Sequence, residues 1–213
     1  MKNKLGVILL LSLFSCESNI EQKQDVEELQ LNGVEEVHKL NDKEEQGVVT
    51  FEDEVDFVKY CFLQLNKGNI EAVRPFVSED ILLSPYAYIE QKTVRKVSLA
   101  EIEAPKIEPS FWGYTDGKGD SILMTTPEYL DKYVFSIDIN DELVKTSVYE
   151  GRPKAYGSEL HNVHEVYPKA KMIEFYKPAS KEGHFDWKTL IFVIEEVDGK
   201  FLLKAIIHNQ WTV

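Results

Sequence analysis

The alternation of apolar and polar positions is clearest at the end of the chain, where Trp187–Val197 and Lys200–Trp211 flank Asp198-Gly199. Asp-Gly supplies the positive φ angles of a two-residue type I′ turn, so the pattern predicts a β-hairpin. Such a turn pairs Val197 with Lys200, Ile194 with Leu203 and Thr189 with His208. Because side chains alternate across a sheet, one face collects Leu190, Phe192, Ile194, Phe201, Leu203, Ala205, Ile207 and Trp211. At roughly 1.5–3 kcal/mol for each fully buried side chain, this face is the expected centre of the core. The other face is mixed, with Trp187, Thr189, Ile191, Val193, Leu202, Lys204, Ile206, His208 and Gln210.

Upstream, the period changes from two to about 3.6. Phe51, Val55, Val58, Phe62 and Leu65 are spaced by three and four, which predicts an amphipathic helix begun by Thr50 as N-cap and ended near Gly68. Asn69 caps a second short helix, Ile70–Val77, interrupted by Pro75. Ile81–Ile89 reads as a strand that Pro85 bends or places at an edge. No regular pattern runs from 90 to 125. Thr125-Thr126-Pro127-Glu128 then carries the signature of a capping box opening a helix over Glu128–Phe135. Ser136–Tyr149 is expected to be extended, His161–Tyr167 to be a helical turn or two, and Lys169–Tyr176 a strand. The expected class is α+β: N-terminal helices packed on a curved antiparallel sheet that ends in the long hairpin.

Composition and the N-terminus narrow the setting. The 213 residues carry a formal net charge of −13, which repels phosphate backbones, so nucleic acid is not an expected partner. Lys2 and Lys4 precede the ten-residue apolar run Leu5–Phe14, too short to span a bilayer as a helix but fit for an export signal. Leu13-Phe14-Ser15-Cys16 resembles the lipobox of bacterial lipoproteins. That resemblance implies cleavage after residue 15, lipid on Cys16 and an anchor in a bacterial membrane, on the periplasmic side or at the surface. Lipidation would leave Cys61 without a partner, and its place on the apolar side of the first helix marks it as a buried structural thiol. Glu17–Gln46 holds ten acidic and three basic residues and no aromatic one. Such a segment buries too little apolar surface to offset its ordering entropy, so 16–48 is read as a disordered tether and 49–213 as the domain.

Several stretches together resemble a family of uncharacterised bacterial lipoproteins with a C-terminal hairpin closing on IIH-x-QWT. They are Ser84-Pro85-Tyr86, Trp112-Gly113 with Asp116-Gly117-Lys118-Gly119-Asp120, Thr125 to Val134, Glu165-Val166-Tyr167-Pro168, Asp186-Trp187-Lys188-Thr189-Leu190 and Ile206-Ile207-His208-Asn209-Gln210-Trp211-Thr212-Val213. No established activity comes with that family. The order helix, short helix, strand, helix and terminal meander, with Leu65-Asn66-Lys67-Gly68-Asn69 after the first helix, is similar to the NTF2-like (cystatin-related) fold. That similarity implies a curved sheet around a long helix, often with a pocket.

The chain has no G-x-S-x-G, P-loop, dinucleotide or HExxH motif, and no cofactor is expected. His161-x-x-His164 offers two imidazoles on one helical turn without a third ligand, so no metal site is expected. Asp116-Gly117-Lys118-Gly119-Asp120 lacks the third carboxylate of a calcium loop and reads as a tight turn. Three functional readings stand. The first is a non-enzymatic envelope lipoprotein that binds another envelope component. The second is a small-molecule or hydrolytic pocket formed by Trp187, Thr189, His208 and Gln210, with His208 as acid, base or donor. The third is a glycan-binding surface on Trp112 and Tyr114.

Overall fold

Asp53, rather than Thr50, starts the first helix. Its carboxylate accepts from the backbone N–H of Val55 and Asp56 at 2.8 and 2.9 Å, so α1 runs Glu54–Asn66. Both residues are N-cap formers; Asp53 is the one whose position lets Phe51 turn back onto the helix, where its ring meets Phe57, Tyr60 and Phe76 edge-on. The computed structural model describes residues 49–115, 118–150 and 161–210, and a compact unit runs Val48–Val213. The signal segment, Cys16 and the tether lie outside the described residues, as do Asp116-Gly117 and Trp211.

After α1 the chain forms α2, Ile70–Val73, which tightens into a 3-10 turn, Arg74–Phe76, at Pro75. Strand β1, Asp80–Ser84, stops before Pro85 rather than reaching Ile89. The irregular stretch from 90 to 125 holds four elements that periodicity did not reveal: β2 (Arg95–Ser98), α3 (Leu99–Glu103), β3 (Ser110–Tyr114) and β4 (Ser121–Met124). At four or five residues each, none is long enough to display a period. The capping box forms as expected between Thr125 and Glu128, opening α4 at Thr126–Tyr129, which widens into a π-type turn over Leu130–Val134. Strand β5 (Lys145–Glu150), the turn α5 (Val163–Val166), and strands β6 (Lys171–Lys177), β7 (Lys188–Val197) and β8 (Lys200–Gln210) complete the chain.

The class is α+β, with a curved, mostly antiparallel sheet of six strands in the order β2-β1-β8-β7-β6-β5. β1 and β8 are parallel, and the other neighbours are antiparallel. β3 and β4 form a separate two-stranded ribbon. Tyr86 fastens this ribbon, its hydroxyl accepting from the Tyr114 N–H at 2.7 Å and donating to the Tyr114 carbonyl. Gly113, at φ +123°, permits the approach, since a Cβ there would lie 2.7 Å from the Tyr86 hydroxyl.

The terminal hairpin turns on Asp198 and Gly199 with φ of 52° and 73°, as the type I′ reading requires. Pairing follows the expected register from Val197↔Lys200 to Ile194↔Leu203. The next pair is Val193↔Ala205, so Lys204 has no partner and forms a β-bulge. Beyond it every residue of β8 changes face. Ala205 and Ile207, expected beside Leu190, pack instead on the opposite face with Leu82, Met172, Ile191 and Val193. Ile206 joins Leu190, Phe192 and Ile194 under α1 in the main core. His208 follows it and pairs with Leu190 rather than Thr189. The core thus has two parts, a large one between the helices and one sheet face and a smaller one on the other face.

Candidate functional site

The four residues proposed as a pocket are separated by the bulge. His208 has 0% exposure and lies within the main core, its ring 5.1 Å from that of Tyr133. Neither ring nitrogen reaches a hydrogen-bond partner of ordinary geometry. Burial pushes its pKa down to about 3, the charge of Lys188 lowers it further, and the nearby Pro85 backbone opposes both. The side chain is therefore a neutral imidazole at neutral pH and does not serve as the acid of a hydrolytic site.

Thr189, on the opposite sheet face, is also buried, and its hydroxyl donates to Glu174 Oε1 at 2.9 Å. The hydroxyl of Tyr149 donates to the other oxygen of that carboxylate at 3.0 Å. Thr189 thus belongs to a buried polar cluster inside the sheet and not to a pocket with His208. Buried carboxylates persist where hydrogen bonds surround them, which is what these hydroxyls supply.

Trp187 and Gln210 do share a site. With residues 183–188 they line an open cleft of about 660 Å³ at the end of the hairpin. Lys188, the first residue of β7, pairs with Gln210 across the strands, and its ammonium donates to Ser136 Oγ at 3.3 Å. Burial and the charge of Lys177 lower its pKa. Phe185, 62% exposed, adds an aromatic wall. The loop that carries these residues is held by Asp186, whose carboxylate accepts from the Ser180 N–H at 3.0 Å; its pKa is lowered by hydrogen bonds from the Ser180 side chain and backbone.

Ser180 Oγ also lies 3.4 Å from His184 Nδ1, which brings a serine, a histidine and an aspartate together. The order is wrong for nucleophile activation. That chemistry needs the carboxylate to orient the histidine while the histidine's second nitrogen takes the serine proton. Here Asp186 is engaged by the serine itself, and the whole cluster stands on an exposed loop. Sequence reasoning missed this loop; the spacing Ser180-x3-His184-x-Asp186 around Gly183, at φ +79°, was the available signal.

The other candidates are placed plainly. Trp112 is fully buried, stacked on Tyr129 at 3.8 Å and 11°, with its indole N–H donating to the Met124 carbonyl at 2.9 Å. It offers no face to a sugar, so the platform with Tyr114 that the third reading requires is absent. Tyr114 itself is exposed beside Phe111. His161 and His164 lie 5.7 Å apart ring to ring, and among the described residues no group of three metal-ligating side chains gathers. Cys61 is fully buried in α1, and burial pushes its thiol up to about 12. No protein-family model matches the chain, and a search of curated proteins finds no match. Among the described residues no helix is long and apolar enough to cross a membrane.

Proposed function

We propose that the chain is a lipid-anchored binding domain of a bacterial envelope, held to the membrane through Cys16 and recognising a small molecule in the cleft at the end of the terminal hairpin. The observation that carries this reading is the cleft itself, which joins aromatic walls, an ammonium and an amide at one sheet end. The two residues of the proposed pocket that remain at the surface, Trp187 and Gln210, are the ones that line it. A binding role is favoured over hydrolysis because His208 is buried and neutral and because Ser180, His184 and Asp186 are in the wrong order. The NTF2-like arrangement is supported by α1 and α2 preceding β1, by a terminal meander, and by α1 packing against the sheet. The lipobox and the acidic segment after it support the anchor.

A fragment survey of the full chain in detergent by 15N NMR tests the binding site. Hits should shift the amides of Lys188 and Gln210 together; hits that avoid both, or no hits, would remove the cleft from consideration. Labelling with a fatty-acid probe should mark the natural chain and not Cys16→Ala. Equal labelling of both would refute the anchor.

A further inference from the structure

Resting on that reading of the cleft, we infer that its ligand is an aromatic carboxylate, with the anionic group held by Lys188 and Gln210 and the ring against Trp187 and Phe185.

The first ground is the treatment of lysines in this acidic chain, which has 37 acidic residues to 24 basic ones. Three other partly buried lysines meet an acid, Lys171 with Glu54 at 3.3 Å, Lys177 with Asp141 at 3.2 Å and Lys204 with Glu195 at 4.0 Å, while Lys59, on α1 and away from the cleft, meets none among the described residues. Lys188 is half-buried and has the Ser136 hydroxyl, but no carboxylate among the described residues lies within ion-pair distance. A desolvated ammonium without an anion is a costly arrangement that a bound carboxylate would relieve.

The second ground is register. Lys188 and Gln210 form one rung of the hairpin, and the next rung is Leu190 and His208 on the same sheet face. The titratable group behind the mouth of the cleft is therefore an uncharged imidazole, and the charge felt by Lys188 is that of the Lys177 ammonium. Neither repels an anion. Asp186 also lines the cleft, but its carboxylate is already engaged by Ser180. The third ground is shape, since an exposed Phe185 beside Trp187 gives two aromatic surfaces next to the ammonium.

The test uses three probes with one ring and three charges: phenylacetate, phenylacetamide and phenethylamine, titrated into the full chain in detergent and followed at the Lys188 and Gln210 amides. Phenylacetate should bind about tenfold more tightly than the amide, as one charge-assisted contact supplies, and weaken as salt is added. Lys188→Gln should remove that preference, while Lys188→Arg should keep most of it. The inference is overturned if the amide binds as well as the acid, if the amine binds best, if the preference survives in Lys188→Gln, or if none of the three binds. Binding of the neutral amide at these two residues without preference for the acid would leave the cleft standing and remove only the anion.

Discussion

Acidification should destabilise the domain through His208 well above the range in which carboxylates titrate. An unfolded chain holds this imidazole at about its ordinary pKa of 6.5, whereas burial pushes it to about 3 in the fold. Between those values the unfolded state binds the extra proton, so the contribution is complete above pH 6.5 and is lost as pH falls toward 3. The slope approaches about 1.4 kcal/mol per pH unit, and from pH 6 to pH 4.5 the loss is about 2 kcal/mol. The depressed carboxylates Glu71, Glu128, Asp141 and Asp186 are solvent-exposed and lose their contribution only at lower pH. The perturbation is His208→Met, which keeps the volume and removes both unpartnered nitrogens. At pH 7 it should be neutral or stabilising by up to about 2 kcal/mol, because orphaned buried polar atoms disappear while one edge-on contact with Tyr133 is lost. Urea unfolding of both proteins at half-unit steps from pH 7 to 4.5, followed by far-UV circular dichroism, reads the difference. The two curves should diverge by about 2 kcal/mol in favour of the variant on acidification. Parallel curves across that window would falsify the buried, neutral histidine.

Two further outcomes follow from the same packing. Cys61 should react with a thiol reagent at native pH only as fast as the domain opens, since it is fully buried with its thiol pushed up to about 12; rapid modification of the folded chain would contradict that placement. Deletion of Lys204 should remove the bulge and keep Ala205, Ile206 and His208 opposite Val193, Phe192 and Leu190, so the cooperative urea transition should survive with a loss of no more than about 1 kcal/mol from the exposed contacts of the lysine. Loss of the cooperative transition in the deletion variant would contradict this pairing.

The parts of the fold legible in the sequence are those where a local signal and a long period agree. Asp198-Gly199 names its turn because L-residues other than Asn and Asp rarely accept positive φ, and ten-residue strands show alternation clearly. Thr125 and Glu128 name a helix start because each satisfies the other's backbone N–H. The ribbon β3–β4 was hidden for the opposite reason. Its strands are short, the pairing shifts between Phe111 and Gly113, and its attachment depends on Tyr86, distant in sequence. Trp112 could be read as an exposed or a buried aromatic because it sits in a loop-rich stretch; only the arrival of Tyr129 beneath its ring decides for burial.

The candidate site was half legible, and the bulge explains which half. Ala205, Ile206, Ile207 and His208 are buried in succession, so no polar residue marks which of them faces which side. Alternation carried through Lys204 puts His208 with Thr189; one unpaired residue puts them on opposite faces. Lys204 is the residue that tolerates being unpaired, since its ammonium reaches Ser78 at 3.4 Å and Glu195 at 4.0 Å while its backbone leaves the ladder. The same shift brings both His208 and Gln210 onto the face of Lys188, with His208 one rung behind. An extra residue in one strand therefore both removes the histidine from solvent and sets a neutral ring behind the ammonium at the mouth of the cleft. A ligand that neutralises Lys188 would lift only the lesser of the two causes that lower the His208 pKa, since burial is the larger.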